Sequence, residues 1–435
     1  MNQHVKLHKA HVPPPVPRKK AIVIGGGTIN KVSPHLAVCA PAYGTAARTI
    51  ADLLQAYQCH TSPNGPETLY DIQLVLTKMA GGEIETNQDL AQKISEIVAD
   101  YSTKLVFFTA AVCDFEPVEV FSNRLESRQY SESNPLSLAL KPSEKILASI
   151  RKNRKDIFLV GFKTTHGSTP EEMFAKGMTL LKKTSSNLVL VNDTKERMNM
   201  ILTPEESSYC HTSDRRKVLS ELVEMAYLRS HLTFTRSTVV SGDAIPWDSE
   251  LVPSSLRAVV NYCIKRGAYK EFMGATVGHF ACKLDDTTFL TSIRKSNFNN
   301  IEKNGLVKIK TDGPDTVIAY GMKPSVGGQS QRIIFSENTE YDCIVHFHCK
   351  IKHGSHVPIV SQKEYECGSH ECGKNTASGL KKFMVNGHSL SAVYLNNHGP
   401  NIVFNKDIDP MAVIEFIEAN FDLDTKTTNL ESAIA

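Results

Sequence analysis

Short apolar runs that do not alternate with polar residues recur through the first half of the chain. Helix-like stretches such as "TAARTIADLLQAY" and "NQDLAQKISEIVADY" separate them. The runs are "AIVIGGG" (21–27), "DIQLVL" (71–76), "KLVFF" (104–108), "IFLVGF" (157–162) and "SNLVLV" (186–191). Strands that are apolar on both faces and alternate with helices indicate a parallel sheet covered on both sides. We therefore predict a doubly wound α/β domain with a mainly parallel sheet over residues 21–235.

The pattern changes after the loop-like stretch "SGDAIPWDSELVP" (241–253). A helix-like segment (254–272) is followed by strand-like segments with turn residues between them, including 280–292 and 306–321, and by the closing helix-like segment 409–423. This order predicts a second α/β domain, residues 248–425, with a largely antiparallel sheet. Residues 1–20 are polar and Pro-rich and are predicted to form a flexible arm, and residues 426–435 a tail.

Composition narrows the function classes. The 435 residues carry a formal net charge of +3 with 22% charged residues, a balance that argues against a nucleic-acid partner. The ten cysteines are scattered, and no apolar run approaches the ~20 residues that cross a membrane. We expect a cytoplasmic protein with reduced thiols, no membrane partner and a homo-oligomeric assembly.

Two histidines one residue apart lie on an apolar strand, "CIVHFHCK" (343–350). Residues i and i+2 of a strand share a face, so the imidazoles of His346 and His348 converge, which suits a divalent metal. The alternative is one buried structural histidine with a hydrogen-bond partner and one incidental neighbour.

A glycine turn follows the first predicted strand. Glycines there let a ligand approach the backbone closely, and the N-terminus of a following helix favours an anion. A purely structural tight turn fits the glycines equally well. The set "AIVIGGGT", "FFTAAVCDFEP", "LALKPSEKIL", "LVGFKTT" and "LVLVNDT", in that order, resembles phosphopantothenoylcysteine synthetase over residues 20–230.

That resemblance implies a nucleotide site for CTP or ATP. The catalytic residue it implies is Lys141, a point charge near phosphates, with a solvated lysine as the alternative. The family's Asn-x-Ser-Ser-Gly stretch is replaced by "HLAVCAPAYGTAA" (35–47), which leaves ligase turnover open. The cofactor-binding residues it implies are Gly25, Gly26, Gly27, Thr28, Ala110, Ala111, Asp114, Phe162, Lys163 and Asn192.

The second half has its own resemblance. "VHFH" followed about fifty residues later by "YLNNHG" is similar to the class II aldolase and adducin-like family over residues 250–425. In the enzymes of that family three histidines hold a zinc ion that polarises a carbonyl during cleavage of a sugar phosphate. The resemblance implies His346, His348 and His398 as metal ligands.

The same resemblance implies a substrate-phosphate site and exposes one departure. Ser292, Arg294 and Lys295 of "TSIRKS", with Ser325, are the implied phosphate contacts. The family's "PSSE" loop reads "PSVG" here, so Gly327 stands where a proton-transferring glutamate is expected. Glu337 is the acidic residue nearby in sequence that we predict as its replacement.

Together these resemblances predict a zinc-dependent class II aldolase-like lyase for a phosphorylated ketose or polyol, fused to a nucleotide-binding synthetase-like domain. Two alternatives stay open. One is a pantothenate and coenzyme A pathway ligase whose aldolase-like domain is structural. The other is a non-catalytic adducin-like binding protein.

Overall fold

The structure, a computed structural model, describes residues 18–61 and 69–424. The chain divides into two compact units, Met1–Ile157 and Phe158–Ala435, and each is described by itself. This division falls inside the first predicted domain, so the predicted boundary between residues 235 and 248 stays a prediction. Most of the predicted arm and all of the tail 426–435 lie outside the described residues.

The first unit is built around a parallel sheet with strand order β4-β1-β5. Two hairpins, β2-β3 and β6-β7, accompany it. Helix α2 starts at a capping box, in which the Thr86 hydroxyl accepts from the backbone N–H of Asp89 and the N–H of Thr86 donates to the Asp89 carboxylate. The elements are β1 (Lys20–Gly25), β2 (Ile29–Ser33), β3 (Leu36–Cys39), α1 (Thr45–Thr61), β4 (Asp71–Leu76), α2 (Asn87–Ala99), β5 (Thr103–Phe108), β6 (Phe115–Pro117), β7 (Leu140–Pro142) and α3 (Ile146–Asn153).

The second unit begins with four strands in the order β8-β9-β10-β11. The first pair is parallel and the other two pairs are antiparallel. The elements of this part are β8 (Phe158–Thr165), α4 (Pro170–Thr184), β9 (Leu188–Asp193), β10 (Asn199–Leu202), β11 (Ser208–Thr212) and α5 (Arg215–Ser230).

The remainder of the second unit contains a ten-stranded sheet with order β12-β18-β17-β16-β15-β19-β24-β23-β21, and β22 pairs with β23. All its pairs are antiparallel except β12 with β18 and β21 with β23. The predicted fold class, a mainly parallel sheet followed by a largely antiparallel one, is confirmed. The elements are β12 (Arg236–Val240), α6 (Ser254–Lys265), β13 (Glu271–Phe272), β14 (Ala275–Thr276), β15 (His279–Lys283), β16 (Thr288–Ser292), α7 (Ile301–Asn304), β17 (Leu306–Thr311), β18 (Thr316–Tyr320), α8 (Val326–Glu337), β19 (Cys343–His346), β20 (Lys350–Ile351), β21 (Ile359–Val360), α9 (His370–Gly379), β22 (Lys381–Val385), β23 (His388–Leu395), β24 (Gly399–Phe404), α10 (Pro410–Asn420) and β25 (Phe421–Asp422).

Strand β19 explains why its sequence is apolar without alternation. It lies inside the sheet between β15 and β24, and both of its faces are buried. Cys343, Val345 and Phe347 join one apolar cluster, whereas Ile344 joins the cluster on the opposite face. His346 and His348 therefore continue the face of Ile344, as their spacing predicts.

No helix in the described part of the chain is long and apolar enough to cross a membrane.

Candidate metal centre and neighbouring sites

Three histidines converge at one end of β19. His346 ends that strand, His348 follows two residues later, and His398 lies in the turn between β23 and β24. One ligand atom from each lies within 4.8 Å of the other two, and all three side chains are buried. Among the described residues no other group of His, Cys, Asp or Glu side chains is placed to share an ion.

The Nδ1 atoms of two histidines have partners, which leaves Nε2 of each ring for a metal. Nδ1 of His346 donates to the Pro400 carbonyl at 2.8 Å, and Nδ1 of His348 lies 3.1 Å from a carboxylate oxygen of Glu206. A neutral imidazole that donates through Nδ1 keeps its lone pair on Nε2. Both rings thus present the nitrogen that a metal requires.

The third histidine supplies the strongest sign that the cluster fits a cation. Nε2 of His398 lies 3.2 Å from Nε2 of His346, and Nδ1 of His398 is buried without a hydrogen-bond partner among the described residues. Two ligand nitrogens of a tetrahedral zinc ion are about 3.3 Å apart when each bond is 2.0–2.1 Å. The donor set and its spacing therefore fit a divalent metal.

Burial keeps the rings of His346 and His398 neutral. It lowers the pKa of His346 and of His398 well below the usual value, and the neighbouring histidines lower both further. Metal ligation requires the deprotonated imidazole, so a proton competes weakly for these nitrogens.

A fourth histidine fills the space beside Gly327. His279 of β15 is the cross-strand partner of His346, and the two rings stack with centroids 4.7 Å apart. A Cβ at Gly327 would lie 2.1 Å from Cδ2 and 2.2 Å from Nε2 of His279. The position that the aldolase resemblance assigned to a glutamate thus has no room for any side chain while His279 keeps its place.

The tautomer of His279 follows from its neighbour. The Gln331 carbonyl accepts from the Thr291 hydroxyl at 3.0 Å, so its amide nitrogen donates to Nδ1 of His279. The proton of His279 then resides on Nε2. Burial, followed by repulsion from His348, lowers the pKa of His279 to about 3, so this ring is a neutral N–H donor.

The acidic residue nearest the cluster comes from the turn between β10 and β11. One carboxylate oxygen of Glu206 contacts His348, and the other lies 2.5 Å from Nζ of Lys182. Burial raises the pKa of this carboxyl, but the Lys182 charge and then the hydrogen bond with His348 outweigh it and hold the pKa at about 2. Glu206 is therefore an ionised carboxylate beside a metal-ligand candidate.

Glu337, the predicted replacement acid, lies elsewhere. It is exposed at the C-terminal end of α8, whereas Gly327 is near the helix start. Ten residues of helix separate the two by about 15 Å, so the structure does not bring Glu337 to the histidines.

Two loops that carry the predicted phosphate contacts are joined by their backbones. The N–H of Ser325 donates to the Ser292 carbonyl at 2.9 Å, and the N–H of Arg294 donates to the Lys323 carbonyl at 2.9 Å. The Ser292 hydroxyl is fully buried and has no hydrogen-bond partner among the described residues. Arg294 and Lys295 are exposed, and Ser325 directly precedes α8.

The glycine turn of the first unit differs from the predicted phosphate cradle. The N–H of Gly27 donates to the Ala42 carbonyl at 2.8 Å, and that of Thr28 donates to the Ala111 carbonyl at 3.1 Å. A Cβ at Gly26, whose φ is +101°, would lie 2.1 Å from the Thr77 hydroxyl. The helix expected directly after the turn begins only at α1, because the β2-β3 hairpin intervenes. These two N–H groups therefore serve the fold and are not available to a phosphate.

Of the other predicted residues of the first unit, Gly25 is buried and the rest are half-buried or exposed. Gly25 ends β1, and Ala110 and Ala111 follow β5 half-buried. Asp114 is exposed and pairs with Lys145 at 2.7 Å. Lys141 is exposed on β7, opposite Glu116.

The remaining predicted residues lie on two adjacent parallel strands of the second unit. Phe162 and Lys163 are half-buried on β8, and Asn192 is half-buried on β9. The next residue, Asp193, accepts hydrogen bonds from backbone N–H groups in the turns that follow β8 and β9, including that of Ser168 at 3.0 Å. Burial raises its pKa, but these hydrogen bonds outweigh that effect and hold the pKa below its usual value.

Sequence reasoning missed His279, Glu206 and Lys182. A signal existed for His279, because it opens an apolar strand directly after Gly278, and the strand pairing that aligns it with His346 could have been proposed. Glu206 and Lys182 are at least 142 residues from His348 in the chain and carry no motif. Only the folded chain shows that Glu206 contacts His348 and that Lys182 contacts Glu206.

Comparison with known proteins places each half in a family. Residues 19–225 match the DNA/pantothenate metabolism flavoprotein C-terminal domain, and residues 258–418 match the class II aldolase and adducin N-terminal domain. The coenzyme A biosynthesis bifunctional protein CoaBC of Thermococcus kodakarensis is 29% identical over 113 residues, which are 26% of this chain and 27% of that protein. The chain thus spans about a quarter of the length of the curated relatives it matches.

Solved structures give similar matches. The DNA/pantothenate metabolism flavoprotein from Streptococcus pneumoniae is 21% identical and covers 47% of this chain and 97% of its own, with a TM-score of 0.38. An L-fuculose 1-phosphate aldolase is 17% identical and covers 39% of this chain and 85% of its own, with a TM-score of 0.29. On the two family matches, over residues 19–225 and 258–418, the chain is a fusion of a DNA/pantothenate metabolism flavoprotein C-terminal domain with a class II aldolase and adducin-type domain.

Proposed function

We propose that the class II aldolase-type domain is a divalent-metal lyase, with zinc as the metal and a phosphorylated ketose or polyol as the substrate. The carrying observation is the convergence of the buried His346, His348 and His398, with Nε2 of His346 and Nε2 of His398 3.2 Å apart. Three histidines with an open fourth position are typical of catalytic zinc sites rather than structural ones.

The chain's own groups suggest a division of tasks. His346, His348 and His398 hold the ion, which when bound polarises a substrate carbonyl. The buried Ser292 hydroxyl, which lacks a partner among the described residues, and the N-terminus of α8 favour an anionic phosphate group. Nε2–H of His279 is a preorganised hydrogen-bond donor for a developing negative charge.

The metal proposal is tested by elemental analysis of the purified chain after zinc challenge, with about one ion per chain expected. His398→Ala should lose the ion and the zinc-dependent gain in melting temperature, because metal binds only the folded state. His353→Ala, which alters an exposed histidine, is the matched control and should behave as the parent chain. A parent chain that takes up no divalent ion would refute the proposal.

A second candidate function, binding without turnover, is favoured by Gly327. A positioned proton-transfer group normally supplies roughly 10²–10⁴-fold in rate, and glycine has none. In that case an enediolate mimic should bind to the zinc-loaded chain while cleavage of sugar phosphates stays slow. Fast cleavage would exclude this candidate and favour the lyase.

For the other domain we propose nucleoside triphosphate binding, with CTP or ATP as the ligand, supported by the family match over residues 19–225. Substitution of Gly26 is a poor test, because a side chain would collide with Thr77 and damage the fold. Lys141→Gln is better, since the lysine is exposed, and Lys152→Gln is an equally exposed control in the same unit.

CTP or ATP at millimolar concentration should raise the melting temperature of the parent chain and of the Lys152 variant, and raise it less for Lys141→Gln. Absence of any shift with both nucleotides would refute nucleotide binding. If the chain is instead a coenzyme A pathway ligase with a structural aldolase-type domain, CTP should be consumed with phosphopantothenate and cysteine, and His398→Ala should leave that reaction unchanged.

A further inference from the structure

The turn between β10 and β11 brings part of the synthetase-like segment into contact with the histidine cluster of the aldolase-type segment. This turn, residues 203–207, lies in the segment that matches the synthetase-like family, whereas all three histidines lie in the aldolase-type segment. Glu206 contacts Nδ1 of His348 at 3.1 Å. The next residue, Ser207, donates its hydroxyl proton to the carbonyl of Asn397, directly before His398. One turn therefore contacts one of the histidines and the backbone next to another.

The backbone conformation of Glu206 indicates that its carboxylate has a role in this turn. Glu206 has a φ of +57°, in the left-handed region that favours Gly, Asn or Asp. The turn is closed by its own hydrogen bonds between Thr203 and residues 206 and 207, which require no particular side chain at position 206. A glutamate in this conformation is costly by itself, so its contacts must compensate.

The contacts of Glu206 hold its carboxylate in one position. The side chain of Glu206 is 7% exposed, and its two oxygens have different partners, Nζ of Lys182 at 2.5 Å and Nδ1 of His348 at 3.1 Å. Lys182 is fixed in turn by the Pro204 carbonyl at 3.2 Å. Glu206 is not among the side chains placed to bind the ion directly. It contacts Nδ1 of His348, which leaves Nε2 as the nitrogen available to an ion.

We propose that Glu206 is a positioning residue for the metal ligand His348, so that a segment of the synthetase-like domain forms part of the metal site of the aldolase-type domain. A carboxylate that accepts Nδ1–H orients the imidazole, fixes its tautomer and makes Nε2 a better ligand. The inference rests on the proposed metal-dependent function, and it explains how the two domains of the fusion depend on each other.

The first test measures cobalt(II) or zinc affinity of the full chain by competition with a chelator. Glu206→Gln keeps the size of the side chain but removes its charge. We expect metal affinity to fall roughly 10–100-fold, the loss that is typical when a residue hydrogen-bonded to a metal ligand is substituted. Glu224→Gln is the matched control. It removes a half-buried carboxylate that pairs with Lys363 at 3.1 Å and hydrogen-bonds to no histidine within the described ranges. Its metal affinity should equal that of the parent chain.

A second measurement needs no metal. In metal-free protein with 15N-labelled histidine, the ring signals of His348, identified by their loss in His348→Gln, should report an Nδ1–H tautomer in the parent chain. That preference should weaken in Glu206→Gln and persist in Glu224→Gln.

The outcomes separate the two proposals. Unchanged metal affinity in Glu206→Gln, with a parent chain that binds metal, overturns the role of Glu206 and leaves the metal site standing. A parent chain that binds no metal overturns the proposed function and this inference with it, even if the tautomer depends on Glu206. Reduced affinity together with a weakened tautomer preference supports both.

Discussion

The contact between Gly327 and His279 makes a sharp prediction about packing. Gly327→Ala adds a methyl group whose carbon would lie 2.1–2.2 Å from two ring atoms of His279, whereas ordinary contacts begin at 3.4 Å. The helix and the ring must separate by more than 1 Å to relieve this overlap. The ring cannot yield easily, because it stacks on His346 and is hydrogen-bonded to Gln331.

The expected magnitude combines two opposing terms. Forcing an extra methyl group into a packed interior costs about 1–3 kcal/mol. Alanine in a helix is favoured over glycine by about 0.5–1 kcal/mol, which offsets part of that cost. We expect a net loss of about 1–2 kcal/mol in the free energy of unfolding. In a His279→Ala background the overlap disappears, so the same substitution there should be neutral or stabilising. The two changes should therefore couple by about 1–3 kcal/mol, the cost of the overlap itself.

The chain offers a local probe for this measurement. Trp247 is its single tryptophan, is buried, and contacts Phe280, the residue after His279, with ring centroids 5.6 Å apart. Urea unfolding followed by tryptophan fluorescence therefore reports on this part of the second unit. A lower midpoint with an unchanged slope is the expected result for Gly327→Ala. An unchanged midpoint, or additive effects in the double variant, would refute the reasoning.

Three further predictions concern other parts of the chain. Arg229→Met should lower the free energy of unfolding of the second unit by about 3–5 kcal/mol in urea, because it leaves the fully buried Glu205 carboxylate, 3.1 Å from the Arg229 guanidinium, without its partner. A loss below about 1 kcal/mol would contradict this. Asp193→Asn should be less stable than the parent chain at pH 7. The folded-state pKa of Asp193 is depressed, so its stabilisation is present above the unfolded-state pKa of about 4 and is lost below it, and a deficit that stays constant on acidification would contradict this. Ellman's reagent should label the exposed Cys39 well before Cys343, whose thiol is buried and has a raised pKa, and equal rates in the native protein would contradict this.

The features that the sequence predicted well are those encoded within a few residues. The run from Cys343 to Lys350 contains both the apolar pattern of a central strand and the i, i+2 spacing of His346 and His348, so the element and the shared face follow from local geometry. The parallel strands of the first half are equally predictable from the sequence, since each is a continuous apolar run. The glycine turn fits two physical explanations. Glycines are required there because Thr77 and Ala40 pack against them, and a phosphate would impose the same requirement.

The features that the sequence could not predict depend on contacts between distant segments. Gly327 was interpreted as the loss of an acidic group, but the structure shows that the missing side chain also makes room for His279, 48 residues earlier in the chain. Glu337 was favoured because it is close in sequence, yet helix geometry carries it about 15 Å away from Gly327. Proximity along a helix therefore misleads where cross-strand pairing decides what faces the site.

The arrangement around Glu206 bears on why the two domains are fused. If the aldolase-type segment were self-sufficient, its metal ligands would need partners only from within residues 258–418, as His346 has in Pro400. His348 instead relies on a carboxylate from residues 19–225, and that carboxylate is held by Lys182 of the same segment. Separating the segments would leave Nδ1 of His348 without this acceptor and would leave buried polar groups on both sides unpaired, which is costly. The contact thus favours a fusion in which the synthetase-like segment shapes the proposed metal site and is more than a tethered neighbour.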